Sequence, residues 1–298
     1  MRFANLKRYN SLLIDNASRT SITIQLRGGI GNQLFQYCAG VYLALSNSFN
    51  LIVDDSGVDH GETLRNFNLP GQFKSSEDLL WKINNRIFRT QTVIDHSSNI
   101  GFADLDLCLP HGSRVKGFFQ NFKYVESLKA QGFTFAIEPT SLSLEILNLY
   151  KKMKSSQSTL IHIRKGDYDK AKDTLGNLSL EYYLSALGKI PKNQRGKVFV
   201  LSDDPLAASE SLIGKDAAGF EFIPVFEGVP NSEYLFLFEA ASNIIIANSS
   251  YSWWGSYLSN GDRRIMAPTP WFKKNTLNMQ VDGCLQLPQW VSLESTWS

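Results

Sequence analysis

The chain has 298 residues, 43% of them hydrophobic and 19% charged, and 30 lysines and arginines against 28 aspartates and glutamates leave a net charge of +2. That composition excludes a disordered, collagenous or coiled-coil protein and argues against wholesale nucleic-acid binding. A chain of this length makes one large domain or two ordinary ones and buries roughly 75% of its unfolded surface, so neither disulfides nor metal are needed to hold it. Cys38, Cys108 and Cys284 are odd in number and far apart, without the spacing of a metal site or a disulfide framework, which fits a reducing compartment. No apolar run approaches the ~20 residues of a spanning helix, and Met1–Thr20 makes a poor signal peptide. A cytoplasmic protein is expected.

The first periodic segment is Ser21–Leu26, where Ile22, Ile24 and Leu26 alternate as in a strand. Arg27-Gly-Gly-Ile-Gly-Asn32 ends it, and Leu34, Cys38, Val41 and Leu45 then recur at helical spacing. Leu51–Asp55 reads as a second strand and completes a βαβ unit. From about Gly57 to Pro139 the pattern is short and mixed, with helical patches over Glu77–Phe88 and Tyr124–Ala130. Leu142–Lys154 reads as a helix, and the polar Lys151–Ser158 stretch as a domain boundary. Beyond it, strands are expected at Thr159–Ile163, Lys197–Leu201, Phe220–Val225, Asn243–Ala247 and Arg264–Ala267. Helices fall between them, at Leu180–Leu187, Pro205–Ile213, Ser232–Ala241 and Tyr251–Leu258. Such alternation with fully apolar strands predicts parallel sheet covered on both faces. The expected division is an extension over 1–20, an α/β domain over 21–154, a second over 155–275, and a segment over 276–298 that packs back on the first.

Four segments carry candidate chemistry. Gly28-Gly-Ile-Gly-Asn-Gln33 joins a strand to a helix, a turn whose N–H groups can approach a phosphate or sugar. It is not a dinucleotide fingerprint, because Leu34 stands where G-x-G-x-x-G needs its last glycine; a plain tight turn explains it equally well. In Ile161-His-Ile-Arg-Lys-Gly-Asp167, strand period puts His162 and Arg164 on one side, at the strand end where open α/β sheets bind ligands. Arg164 suits a bidentate phosphate contact, with Asp167 to orient it; a core histidine is the bland reading of His162. Ser202-Asp-Asp-Pro205 ends another strand: Asp204 before a proline suits helix capping, which leaves Asp203 for a ligand. In Asn248-Ser-Ser-Tyr-Ser-Trp-Trp-Gly255, Ser249, Ser250 and Ser252 place hydroxyls beside helix N–H groups, a diphosphate site. Trp253 and Trp254 suit sugar stacking, although core packing is the better account of at least one. Asp104-Leu-Asp106 has the look of a metal-binding DxD but lies in an irregular stretch and is common by chance.

Together these four segments, in this order over roughly residues 22–270, resemble the α-1,2-fucosyltransferases of glycosyltransferase family 11. Lys165 departs from the family's His-x-Arg-Arg-x-Asp by replacing its second arginine, and the membrane anchor of animal members is missing, so a bacterial-type member is expected. The resemblance implies an α/β, GT-B-like fold of two Rossmann-like halves with the active site in the cleft between them. It implies inverting transfer of L-fucose from GDP-β-L-fucose to the 2-hydroxyl of a galactose-terminated glycan, with no metal or other cofactor. Gly29, Gly31, Asn32, Gln33, Ser202, Asp203, Asp204, Asn248, Ser249, Ser250, Tyr251 and Ser252 would bind the donor, and Arg164, His162 and Asp167 would serve catalysis. Asp54 and Asp55 are further candidates for the base. Expected partners are GDP-fucose and the acceptor glycan, with peripheral association at the inner membrane and no nucleic acid. Alternatives are another fucosyl linkage (α-1,6 or protein O-fucosylation), an NAD-dependent oxidoreductase, or a non-enzymatic carbohydrate-binding protein.

Overall fold

The computed structural model describes residues 2–3, 13–14, 20–58, 61–67, 69–75, 78, 92–133, 135–136, 142–166, 171–212, 219–259 and 261–298. They form two compact units, Met1–Ala136 with Gln280–Cys284, and Ile137–Met279 with Leu285–Ser298.

In the first unit, β1 (Arg2–Phe3) pairs antiparallel with β7 (Phe135–Ala136). The main sheet holds β2 (Ser21–Arg27), β3 (Asn50–Gly57), β4 (Gln72–Lys74), β5 (Val93–Asp95) and β6 (Arg114–Lys116), all parallel, in the order β4-β3-β2-β6-β5. Helix α1 (Ile30–Ser46) follows β2 directly and α2 (Phe122–Ala130) is capped by Asn121, whose side chain accepts from Lys123 N at 3.0 Å. Ile22, Ile24, Leu26, Leu34, Cys38 and Val41 are all buried, because the alternating face of β2 and the periodic face of α1 meet. The helix lies so close that a Cβ at Gly40 would stand 2.8 Å from Ile24 Cγ2.

The second unit holds α3 (Leu144–Ser155), β8 (Thr159–Ile163), α4 (Leu180–Gly188), α5 (Lys192–Arg195), β9 (Val198–Ser202), α6 (Pro205–Leu212), β10 (Glu221–Phe222), α7 (Asn231–Tyr234), α8 (Leu237–Ala240), β11 (Asn243–Ile245), α9 (Ser250–Leu258), β12 (Arg264–Thr269) and β13 (Val291–Glu294), with most of α10 (Asn275–Val281), whose last two residues fall in the first unit, before the last strand. Its six strands are parallel, in the order β10-β9-β8-β11-β12-β13. The chain builds outward from β8 to one side and then starts again beside β8 with β11, so the strand order reverses between these two. That is the dinucleotide-fold topology, whose ligand crevice lies outside the carboxyl ends of the strands flanking the reversal.

The observed division differs from the expected one at both ends. Helix α3 belongs to the second unit: Tyr150 stacks on Phe236 at 4.5 Å, and Ser143 N donates to Glu233 Oε2 at 2.7 Å. At the carboxyl end, β13 extends the second sheet by pairing with β12 from Met266↔Val291 to Thr269↔Glu294. Of the expected returning segment only Gln280–Cys284 joins the first unit, where Phe122 N donates to Cys284 O at 2.9 Å. The expected Ser232–Ala241 helix is two short ones, α7 and α8, and the strand expected over Phe220–Val225 shrinks to β10. The Glu77–Phe88 patch, apart from Asp78, lies outside the described residues.

Gly40 sets two effects against each other. Alanine gains about 1 kcal/mol of helix propensity, but Ile24 presents atoms close to a buried backbone that cannot swing away, and overpacking of this kind costs about 1–3 kcal/mol. Gly40→Ala is expected to be net destabilising, seen as a lower urea midpoint; a higher midpoint would show that α1 can lift off β2.

Candidate functional site

The site grows from the reversal between β8 and β11. Strand β8 is buried throughout, and its last turns deliver His162 and Arg164 to the carboxyl edge. The neighbouring strand β9 ends at Ser202, so the next residue, Asp203, stands beside them. Asp203 Oδ2 lies 3.2 Å from Arg164 Nη1, and its Oδ1 accepts from Lys165 N at 2.9 Å. One carboxylate therefore fixes both the guanidinium and the backbone that carries it. Gly166 follows at φ +22°, and a Cβ there would collide with Asp203 Oδ2. The Lys165–Gly166 turn requires a glycine.

Asp204 does what its proline neighbour predicts: its Oδ1 accepts from Ala207 N at 3.0 Å and caps α6. Ser202 Oγ is bonded to Asp204 N and Asp204 O, both at 3.1 Å, so it braces this corner. Asp203 is left for a different task, holding Arg164 and the following turn.

His162 is 2% exposed, with its ring 5.5 Å from that of Tyr251 and 6.3 Å from that of Phe238. Burial, with the nearby Arg164 guanidinium adding to it, pushes the imidazole down to about 3. The ring is therefore neutral at physiological pH and a poor proton acceptor. Its Nδ1 is buried with no hydrogen-bond partner among the described residues.

On the other side of the reversal, β11 runs into the Asn248–Ser252 corner. Ser249 caps α9 by accepting from Tyr251 N at 3.3 Å. Ser252 Oγ turns back to Ala247 O and Ser249 O, each at 3.2 Å, so this hydroxyl serves the helix and does not point outward. Asn248 Nδ2 ties down Leu175 O and Gly176 O at 3.1 and 3.0 Å, and Tyr251 donates to Asn231 O at 2.6 Å. Ser250 opens the helix half-buried. Both Trp253 and Trp254 are fully buried, which removes them as sugar-stacking surfaces: Trp253 donates from Nε1 to Leu285 O at 2.8 Å and stacks on Tyr257 at 5.0 Å.

The first unit presents a comparable corner, between the ends of β2 and β6. Gly28 adopts φ +74°, and a Cβ there would stand 3.0 Å from Asn32 Nδ2. Gly29 is exposed with open space beside it, and Gly31 is buried inside α1. Gln33 is wholly buried: its Nε2 donates to Gly28 O and Glu62 O at 2.8 and 2.9 Å, and its Oε1 accepts from Leu64 N at 3.1 Å. It staples the turn and is not presented to a ligand. Asn32 Oδ1 accepts from Gln120 Nε2 at 2.8 Å. Gln120 and Phe118, over whose ring Arg27 lies at 4.3 Å, come from the irregular stretch where the sequence shows no periodicity to mark them.

The carboxylates considered as bases are already engaged. Asp54 is buried against Arg114 and also accepts from Ser56 N at 3.0 Å. Asp55 binds Arg65 through both oxygens, at 2.8 and 3.0 Å, and Thr63 Oγ1 at 3.0 Å. Asp167 lies outside the described residues. Asp104 and Asp106 are exposed, and Asp104 Oδ1 accepts from Asp106 N at 3.1 Å, a local turn. Among the described residues no three potential metal ligands converge, and no helix is long and apolar enough to cross a membrane.

Residues 117–294 match the model of glycosyl transferase family 11. The chain belongs to that family. The match spans the whole β8–α9 site. An Escherichia coli alpha-1,2-colitosyltransferase is 26% identical, covering 92% of this chain and 99% of that protein. The E. coli O-antigen biosynthesis glycosyltransferase WbnK is 28% identical, covering 90% and 99%. The solved fucosyltransferase NodZ from Bradyrhizobium aligns over 84% of this chain and 96% of its own at 14% identity, with a TM-score of 0.49.

Two measurements check the site. The side chains of Arg164 and Asp203 are 26% and 23% exposed, so their pair contributes little stability, and its value is positional. Asp203→Asn keeps the acceptor for Lys165 N but drops the charge, and transferase activity is expected to fall about tenfold or more with the melting temperature nearly unchanged. Loss of fold in place of activity would make the pair structural. For His162 the folded value lies below the unfolded ~6.5, so the unfolded chain takes up the extra proton. Its stabilising contribution is whole above pH ~6.5 and shrinks as pH falls from there towards about 3. Between pH 6.5 and 5 the loss is about 2 kcal/mol; in His162→Gln, urea unfolding should lack that part of the slope.

Proposed function

We propose that this family 11 enzyme transfers L-fucose from GDP-β-L-fucose to the 2-hydroxyl of a galactose-terminated glycan, inverting the anomeric carbon without a metal. The observation that carries the reading is Arg164, held by Asp203 at the strand reversal of a nucleotide-binding topology, inside the segment that matches the family. As the bond between the sugar and the β-phosphate breaks, negative charge grows on the phosphate and oxocarbenium character on the sugar. A guanidinium already fixed in place stabilises that charge without reorganising, and the start of α9 adds its N–H groups. The new bond joins the anomeric carbon to the acceptor oxygen, whose proton must leave. Asp54 and Asp55 are committed to arginines and His162 is a weak base, which leaves Asp167 as the candidate acceptor of that proton. Asp203, expected to bind the donor, is assigned here to positioning Arg164. The α-1,2 linkage is supported by the name of the colitosyltransferase relative, which also favours a second reading, a GDP-linked 3-deoxy sugar as donor.

The test offers GDP-fucose and GDP-colitose with a panel of β-galactosides and reads the linkage by NMR. Fucose on O2 is expected. Preference for colitose selects the second reading, and transfer to O3 or O6 overturns the linkage. Activity is expected to persist in EDTA, whereas loss restored by Mn²⁺ would remove the metal-free mechanism. Arg164→Lys keeps the charge but loses the fork, so kcat should fall on the order of 10²-fold while the donor KM changes less.

A further inference from the structure

The opposite edge of the second unit, where its strands begin, has a chemistry that the transfer reaction does not use. Thr159, Val198, Asn243 and Arg264 lie in one register row, so the starts of four strands are level. Three helix ends reach this edge. The last turns of α3 carry Lys151, Lys152 and Lys154, Lys189 follows α4, and Lys192 opens α5. Lys152 and Lys197 share one carboxylate, Glu221, each at 2.5 Å. Lys151, Lys154, Lys189 and Lys192 are exposed, with no carboxylate partner among the described residues. In a chain whose net charge is only +2, this concentration on one edge is a marked asymmetry.

The edge also opens into a cleft of about 480 Å³ with polar walls that include Gln157, Arg263, Arg264 and Gln289 and one carboxylate, Asp262. Val291 lines the same cleft and is 42% exposed. The arginines here are fixed by protein acceptors: Arg195 by Ile190 O, Arg263 by Ala241 O and Glu239 O, and Arg264 by Gln194 Oε1. Arg195 and Arg263 thereby use two nitrogens of the fork each, and Arg264 one. Of the aromatic rings near the edge, Phe199 and Trp290 are buried and Phe220 is half-buried, so none is fully exposed. A single-stranded nucleic acid would want exposed rings for stacking. Exposed lysines spread over a level edge suit a diffuse negative surface, where each contributes additively and without fixed geometry.

We propose that this edge docks the enzyme on a bilayer rich in anionic lipid, with the lysines facing the lipid phosphates and the polar cleft receiving a headgroup. The lysines near the ends of α3 and α4 also complement helix dipoles. That role is internal to the fold and shows in stability, not in lipid binding.

The full-length protein is mixed with sucrose-loaded phosphatidylcholine vesicles, with or without about one-third phosphatidylglycerol, and sedimented. Binding to the anionic vesicles alone is expected at about 0.05 M salt and release at about 0.5 M, where screening shortens to a few ångströms. A lysine near such a surface is worth about fivefold in partition. The variant Lys151→Gln/Lys154→Gln/Lys189→Gln/Lys192→Gln, four such steps, should therefore bind on the order of several hundred-fold more weakly while it stays folded, with at most a small fall in melting temperature from the lost dipole contacts. Lys273→Gln/Lys274→Gln, away from this edge, should bind like the parent. Failure of the parent to bind, equal binding to neutral vesicles, equal loss in both variants, or binding to a competing oligonucleotide but not to vesicles would each overturn the proposal.

Discussion

One carboxylate organises the candidate active site. Asp203 stands at the end of β9 and takes the Arg164 guanidinium with one oxygen and the Lys165 N–H with the other. Parallel neighbours in register deliver their ends together, so Ile163 opposite Ser202 is what makes this bridge possible. The backbone must then turn away at once, and Gly166 does so against the carboxylate itself. An arginine whose guanidinium and following backbone amide are tied to one carboxylate has part of its conformational freedom removed before any ligand arrives, which is the form of preorganisation that helps a charge developing in a transition state.

Much of this was legible in the sequence, and the reasons are specific. Strands β8 and β9 are short, mainly apolar runs bounded by polar residues, so their type and parallel environment could be read directly and their limits to within a residue. The capping role of Asp204 followed from Pro205. Where the reading diverged, tertiary structure decided. Helix α3 has a polar break after it, but Tyr150 and Ser143 bind it to α7 and α8, contacts distant in sequence that no local pattern marks. Strand β13 is four residues long, with only Leu293 buried, too little periodicity to detect. Gln33 and Ser252 are polar residues in glycine- and serine-rich turns, where composition suggests a ligand. Their buried partners are backbone atoms, the obligation every buried polar group carries.

Family membership and geometry inform different questions. The family match fixes the class of chemistry, while the strand order alone marks the place where a nucleotide would sit. They converge on the same corner from separate grounds, since the topology argument uses no sequence motif. The first unit repeats the logic on a smaller sheet: its Gly28–Gly29 turn also leaves the central strand next to a reversal, between β2 and β6.

The two tryptophans of the α9 segment illustrate how a motif can mislead about roles. In a sugar-handling protein, adjacent indoles invite assignment as a platform for the pyranose ring. Here they are the footing of the helix: Trp253 and Trp254 are wedged edge to face at 5.2 Å, and Trp290 and Tyr257 close around Trp253. The consequence concerns how the site can evolve. A substitution at either indole acts like a change of shim under a machine mount, tilting the serine-bearing end of α9 and every atom aligned by it. The helix start, with Ser249 and Ser252 themselves buried, is therefore locked to the core through the bulky residues behind it.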